Sequence, residues 1–334
     1  MFVLESYPLA VLFCIITMLC WGSWANTQKL ATKSWPFQLF YWDYALGILI
    51  ISFIIAISMG SFGHYGRPFF SDLSQASTAA LTSAFVGGVI FNLANILLVA
   101  AIDIAGMAIA FPIAIGLALV IGVIVNYVEM PVGNPILIFS GVILVTLAIL
   151  CTALAYKRVS AKQNTGVSKG IVIAVISGIL MGFFYRFVAS SMITDVYHPQ
   201  TGLMSAYSAS FIFAVGIFIS NFIINGLMIK FPLTGEKLNF KDYFSYGNTW
   251  LHFIGILGGV IWGIGSTLNF IAANLAGAAI SYGLGQGATL IAAIWGVFIW
   301  KEFAYAPKGT NKLLTLMFIL YVLGLTLIVI SKTI

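Results

Sequence analysis

Long apolar runs alternate with short polar connections along the whole chain. Ten such runs can be distinguished, and an α-helix needs about 20 apolar residues to cross a bilayer. They cover residues 8–28, 38–59, 79–101, 107–127, 135–156, 169–190, 203–226, 250–273, 279–300 and 312–332. Strands of a membrane barrel would instead give short segments of alternating polarity. The pattern therefore predicts an all-α membrane protein with ten transmembrane helices.

The composition of the 334-residue chain excludes several functional classes. Hydrophobic residues make up 61% of it and charged residues 7%, whereas a soluble domain carries about 25% charged residues. Soluble enzymes and nucleic-acid-binding proteins are excluded, and membrane lipids are the expected surroundings. The three cysteines lie in apolar runs and the three histidines are far apart. We therefore expect no metal site, no cofactor and no nucleic-acid partner.

Basic residues are distributed unevenly between the connections. The connections after the first, fifth, seventh and ninth runs carry twelve lysines and arginines, and those on the other side carry two, Arg67 and Lys332. Cytoplasmic loops of membrane proteins are enriched in basic residues. We expect both termini to lie outside and the central loop to be cytoplasmic. The expected location is the inner (plasma) membrane of a bacterium.

Two stretches of the sequence resemble each other at an offset of 171 residues. GGVIFNLANILLVAAIDIAGMAIA begins at Gly87, and GGVIWGIGSTLNFIAANLAGAAIS begins at Gly258. The first and sixth runs also align, which places Gly22 on Gly182 and Asn26 on Arg186. We infer two five-helix repeats, 1–158 and 169–334, joined by a short cytoplasmic linker at 159–168. Because five is an odd number of crossings, the second repeat must be inverted, as in many secondary transporters.

Several short motifs carry a resemblance to a known family. They are LES at 4–6, WGSWANTQKL at 21–30, WDYALG at 42–47, GGVIFNLAN at 87–95, the related run at 258–277 and WGVFIWKEF at 295–303. In this order they resemble the drug/metabolite transporter superfamily, and within it the ureide permeases and the neighbouring glucose/ribose-porter-like sugar transporters. The resemblance implies a secondary transporter of small polar metabolites, often driven by a cation gradient. The central loop, YKRVSAKQNTGVSKG, lacks the phosphate-loop motif that plant ureide permeases carry.

Polar and aromatic side chains inside the apolar runs are the candidate substrate-binding groups, because such residues usually face a cavity or a partner. Amides suit ureides, nucleobase edges or sugar hydroxyls, and indole rings stack on flat ligands. The alternative for the asparagines is hydrogen bonding between helices, and for Arg186 it is reaching to the membrane interface. The candidates are Trp24, Asn26, Asn92, Asn95, Arg186, Trp262, Asn269, Tyr282 and Gln286.

Asp43 is the candidate coupling site for a proton or sodium ion. It lies about one and a half turns inside the second apolar run, where a carboxylate can exchange protons near neutral pH. The alternative is an ion pair with Lys29 or Lys33 at the interface. Arg186 needs a compensating partner as well, either a carboxylate such as Asp43 or an anionic substrate.

These features favour a secondary active transporter that imports a small polar metabolite by alternating access. A ureide or nucleobase-like compound and a monosaccharide are the leading substrates. An exporter of amphipathic drugs or metabolites is the alternative. An intramembrane enzyme is less favoured, because no catalytic constellation is present. Tryptophans near the ends of the runs, including Trp21 and Trp300, are expected at the membrane interface.

Overall fold

The computed structural model describes residues 1–31, 35–159 and 167–333. These residues form fourteen α-helices and one π-helical turn. The helices are α1 (Tyr7–Ser23), α2 (Ala25–Ala31), α3 (Phe37–Ile57), α4 (Phe69–Gln75), α5 (Thr78–Ala105), α6 (Met107–Glu129), α7 (Pro135–Val159), α8 (Val167–Ala189), α9 (Ala206–Lys230), α10 (Asp242–Tyr246), α11 (Thr249–Ala276), α12 (Ala278–Gly285), α13 (Ala288–Ile294) and α14 (Thr310–Ile330). The π-helical turn is Trp295–Ile299.

Within the described residues, ten segments are long and apolar enough to cross a membrane. The all-α prediction of ten transmembrane helices is thereby confirmed. The first segment consists of α1 and α2, with a break at Trp24, and the ninth consists of α12, α13 and the π-helical turn. The short helices α4 and α10 were not predicted. Each is too brief to give a clear hydrophobic period and precedes one of the two longest helices, α5 or α11.

Helices α5 and α11 share the same local geometry at both ends. Both have 28 residues, and each begins with a side-chain cap, Ser77 for α5 and Asn248 for α11. Each ends at a glycine with positive φ, Gly106 at +83° and Gly277 at +90°, and the next helix starts at once. Residues with a Cβ rarely adopt that conformation. The two caps are 171 residues apart, and so are the two glycines, which is the offset of the sequence repeat.

The same offset relates two close helix crossings. A Cβ on Gly88 of α5 would collide with the carbonyl oxygen of Phe213 in α9, and a Cβ on Gly259 of α11 would collide with that of Tyr44 in α3. The backbones therefore touch at both crossings. These matches support two inverted five-helix repeats, although the inversion and the division into 1–158 and 169–334 stay predictions. Most of the linker at 159–168 lies outside the described residues.

The two ends of the helix bundle differ in charge. The end at which α2, α7 and α9 finish carries Lys29, Lys157, Arg158 and Lys230, and we call it the lysine-rich end. The opposite end holds the start of α1, and we call it the N-terminal end. There the Met1 ammonium group donates a hydrogen bond to the carbonyl oxygen of Tyr65 at 2.7 Å.

Candidate functional site

A cavity of about 480 Å³ extends from the middle of the bundle to the lysine-rich end. Its walls come from both halves of the chain, since α1, α2, α5, α6 and α7 contribute from the first half and α8, α11 and the ninth segment from the second. At the open end, the side chains of Lys29 and Glu302 are 44% and 30% exposed. A pocket that lies between helices and carries a few polar groups is a typical binding site for a small molecule.

Three aromatic rings form the floor of this cavity, which we call the aromatic floor. The Trp262 ring stacks on that of Phe91 with a centroid distance of 4.3 Å, and it lies nearly parallel to that of Trp21 at 5.9 Å. Trp21 is held by its indole N–H, which donates to the hydroxyl of Ser266 at 3.0 Å. Trp21 fits against α11 because Gly265 lacks a side chain at the contact. The floor offers flat apolar faces to a ligand.

Amide side chains surround the space above the aromatic floor. Asn95, Asn26 and Gln286 all line the cavity. Asn95 donates to the hydroxyl of Tyr41 at 3.2 Å, and Asn26 accepts a bond from the Trp300 indole at 2.6 Å. Gln286 lies at the break between α12 and α13. Amides both donate and accept hydrogen bonds, so this ring of groups suits an uncharged polar solute.

The π-helical turn shapes the wall close to the open end. It places Trp295 and Gly296 on the cavity surface, and the Trp295 indole donates to the Ser23 hydroxyl at 2.9 Å. Single π-helical turns in membrane and soluble proteins are frequent at functional sites. The break at Trp24 lies beside this turn, next to Ser23, and both irregular segments line the cavity.

Five of the predicted substrate-binding residues line the cavity together: Trp24, Asn26, Asn95, Trp262 and Gln286. They come from four separate segments of the sequence, and the fold brings them to one surface. Their predicted contact with substrate stays a prediction.

Three further candidates are fully buried beside the cavity rather than on its surface. Asn92 donates to the Ser220 hydroxyl at 2.8 Å, and Asn269 donates to the Ser281 carbonyl at 2.9 Å. The Tyr282 hydroxyl lies 3.1 Å from the carbonyl oxygens of both Ala118 and Met181. In this conformation, all three make the contacts between helices that the alternative interpretation describes.

Arg186 lies away from the cavity. It forms a 2.8 Å ion pair with Glu129 near the N-terminal end, and both side chains are about half exposed, at 47% and 45%. The compensating partner is therefore neither Asp43 nor a group in the cavity. This position corresponds to the interfacial alternative for Arg186.

Asp43 belongs to a separate buried cluster between α3, α10 and α11. One carboxylate oxygen accepts a bond from the Tyr243 hydroxyl at 2.5 Å, and the other lies 2.9 Å from Nδ1 of His252. Trp35 packs edge-on against the His252 ring at 5.2 Å. Burial and the bond to Asp43 raise the pKa of Tyr243, so that residue remains a hydrogen-bond donor at neutral pH. Lys29 does not contact Asp43, and Lys33 lies outside the described residues.

Several cavity residues were missed by sequence reasoning. Trp21 and Trp300 were expected at the membrane interface but line the cavity, as do Tyr156 and Asp103. A signal for Asp103 was present, because it is an acidic residue in an otherwise apolar run. It also lies eight residues after Asn95, on the same helical face. Tyr243 and His252 gave no signal, since only the tertiary packing brings them to Asp43.

Comparison with known families gives one matching family model. The model of the ureide permease family matches residues 40–169 and 152–331, which together cover most of the chain. The two matched ranges correspond broadly to the two halves of the chain.

Individual relatives agree with this match. Ureide permease 1 of Arabidopsis thaliana is 23% identical, with 99% of each chain covered, and ureide permease 3 of the same plant is 24% identical over 83% of this chain and 88% of its own. Transmembrane protein 144 homolog B of Dictyostelium discoideum is 27% identical over 53% of this chain and 44% of its own. One solved crystal structure superposes with a TM-score of 0.60 at 15% identity, covering 96% of both chains, which shows a shared fold.

Proposed function

Because the chain belongs to the ureide permease family, we propose that it is a secondary transporter that imports a small, uncharged polar solute by alternating access. Permeases are transporters and not enzymes. The observation that carries the proposal is the central cavity, which is lined by both halves of the chain, closed at the aromatic floor and open at the lysine-rich end. Binding at the interface of two repeats near the midplane is how secondary transporters are built.

The cavity favours a flat, amide-rich substrate such as a ureide or a nucleobase-like compound. The aromatic floor provides flat faces for a ring, and Asn95 and Gln286 supply donors and acceptors at its edge. A monosaccharide is the second substrate class, because indole rings also pack against the C–H faces of sugars. An exporter of amphipathic compounds would share the fold, since the direction of flux follows the gradients.

The orientation follows from charge. Under the positive-inside rule the lysine-rich end is cytoplasmic, so both termini are outside. The conformation described here is then inward-facing, with the aromatic floor and the helices behind it separating the cavity from the outside. The bacterial plasma membrane stays a prediction from the sequence.

We keep Asp43 as the proposed coupling residue for a proton or sodium ion. Its carboxylate is buried, and one of its oxygens lies 2.9 Å from Nδ1 of His252. Since the cluster lies outside the cavity, coupling would act through the contact between α3 and α11. At that contact Gly255 packs directly against Asp43.

Counterflow in proteoliposomes tests the proposed transport and its site. Unlabelled allantoin inside the vesicles should drive uptake of labelled allantoin, and glucose is the second probe. Trp262→Ala should slow uptake by about tenfold or more, because stacking on an aromatic ring is worth about 1–3 kcal/mol. Trp250→Ala is the matched control, since Trp250 is 63% exposed on the surface of the helix bundle and does not line the cavity. Uptake by the Trp262→Ala variant at the rate of the unsubstituted protein would show that the aromatic floor does not bind substrate. Absence of counterflow with both probes would contradict the proposed function.

A further inference from the structure

Three charged side chains of the described residues line the open end of the cavity, and two of them neutralise each other. The Lys29 ammonium group lies 2.5 Å from one carboxylate oxygen of Glu302, and it also lies over the Trp300 ring at 4.2 Å. The other oxygen of Glu302 accepts a bond from the Tyr156 hydroxyl at 2.7 Å. Both oxygens of Glu302 are therefore engaged, and the pair contributes little net charge.

Asp103 is the third charged group, and its carboxylate has no ion pair or hydrogen bond among the described residues. It is exposed on the cavity wall, two residues before α5 ends at Ala105. Eight residues separate it from Asn95, which corresponds to about 12 Å along the helix. Asp103 thus lies nearer than Asn95 to the lysine-rich end of α5, and among the described charged groups that line the cavity it leaves a net negative charge.

We propose that Asp103 is a specificity-determining residue that filters solutes by charge at the lysine-rich opening. A carboxylate in a cavity whose lining is mainly apolar repels anions, and such walls focus its field. Uncharged solutes pass, whereas carboxylate-bearing analogues are disfavoured. This inference rests on the proposed function, because it assumes that solutes enter or leave through the cavity.

The other half of the chain carries no corresponding charge. The residue 171 positions after Asp103 is Asn274, near the N-terminal end, where it lines a smaller pocket of about 150 Å³. An amide replaces the carboxylate at the matching place. At this pair of matching positions, only the first half of the chain carries a charge.

Thiol labelling tests the filter without requiring transport. A cysteine at Ala292, a cavity-lining residue, would be introduced into the full chain after replacement of Cys14, Cys20 and Cys151. The rates of modification by cationic and anionic methanethiosulfonate reagents are then compared in purified protein. Asp103→Asn should lower the cation-to-anion rate ratio by about fivefold, as expected for a unit charge acting across several ångströms of water. Asp103→Lys should lower the ratio further, and Asp103→Glu should retain it.

The controls separate a field effect from a change in structure. Glu236→Gln removes an exposed carboxylate outside the cavity and should leave the ratio unchanged. High salt should bring the unsubstituted Asp103 protein close to the Asp103→Asn value, because salt screens exposed charges. A ratio that is the same with Asp, Asn and Lys at position 103 overturns the proposal.

Competition in the counterflow assay connects the filter to substrate choice. Allantoate, the ring-opened anion of allantoin, should compete about threefold better in Asp103→Asn than in the unsubstituted protein, relative to unlabelled allantoin. If Asp103→Asn changes the labelling ratio but leaves the competition by allantoate unchanged, the charge at position 103 does not select substrates. The specificity role would then be wrong. If the unsubstituted protein shows no counterflow but its labelling ratio still differs from that of Asp103→Asn, the proposed function is contradicted and the charge filter is retained.

Discussion

Two carboxylates illustrate how neighbours decide the role of a residue in this protein. Asp43 is buried, and both of its oxygens have partners, Tyr243 and His252. Asp103 faces an open cavity and has no partner among the described residues. A buried group that exchanges a proton changes the packing around it, whereas an exposed group acts through its field. We therefore propose coupling for the first and selection by charge for the second.

At the residue scale, Asp43→Asn should abolish gradient-driven accumulation while counterflow continues. The amide cannot take up and release a proton, but it can still accept a hydrogen bond from Tyr243. Accumulation under an imposed proton or sodium gradient and counterflow without a gradient are measured in the same vesicle preparation. Intact accumulation would show that Asp43 is not the coupling residue.

Asp72→Asn is the matched control for this substitution. Asp72 is also buried, but it lies at the N-terminal end and pairs with Arg67 at 3.0 Å. Loss of that pair should lower thermal stability and affect accumulation and counterflow to the same extent. A selective loss of accumulation in this variant as well would indicate that any buried carboxylate produces the effect.

At the element scale, contacts between helix backbones hold the two halves together. Apolar side chains gain little by leaving lipid for another helix, so close packing of small residues is a main source of helix association in membranes. Gly47 and Gly259 meet where α3 crosses α11, and Gly88 and Gly216 meet where α5 crosses α9. The high glycine content is thus explained by the crossings rather than by flexible loops.

Gly259→Ala should destabilise the protein, because the added methyl group meets the carbonyl oxygen of Tyr44 and the helices must separate. Overpacking of this kind costs about 1–3 kcal/mol, which a thermal unfolding scan followed by tryptophan fluorescence can detect. Gly116→Ala is the control, since a Cβ there meets no other atom within 4 Å and alanine favours a helix. Equal melting temperatures for the two variants would show that the crossing tolerates a wider separation.

At the scale of the whole molecule, the 171-residue offset relates residues that line the cavity to residues that are buried in this conformation. Cavity-lining positions on α5 and α6 correspond to positions on α11 and α12 that are buried here. Leu98 corresponds to Asn269, Phe111 to Tyr282 and Ile102 to Ala273. If the halves exchange conformations, the second set should line an outward-facing cavity. Asn269 and Tyr282 would then face the substrate path in the other state.

Ala273→Cys should therefore react with a membrane-impermeant maleimide added outside intact cells, although Ala273 is only 4% exposed in this conformation. Ala272→Cys is the control, because its counterpart Ala101 is buried and does not line the cavity. Both variants would lack the native cysteines. Labelling of neither, or of both at the same rate, would contradict the exchange of conformations predicted from the repeats.

Much of the fold could be predicted because the bilayer imposes simple rules. A span must be about 20 apolar residues long and helical, so the ten segments could be found without any contact information. The breaks inside two spans, at Trp24 and at Gln286, were not predicted. Neither break contains a proline, the residue that interrupts a helix most strongly, so the sequence gives only a weak signal at these positions.

The candidate site was predicted less completely. Asn95 and Gln286 stand out as polar residues in apolar runs, and both line the cavity. Asn92 stands out equally, yet its side chain does not line the cavity and donates to the Ser220 hydroxyl of α9. Polarity alone cannot distinguish a residue that faces a cavity from one that links two helices, because both avoid lipid.

The sequence by itself determined that the chain is an all-α membrane protein with ten spans. It also revealed the repeat, from which the inverted arrangement is proposed. These features depend on local composition and on the thickness of the bilayer. Tertiary structure alone decided which side chains meet: that Trp21, Phe91 and Trp262 form one floor, that His252 reaches Asp43, and that Arg186 pairs with Glu129. Such contacts depend on how the helices are rotated and how closely they cross, and these depend on packing between residues that are distant in sequence.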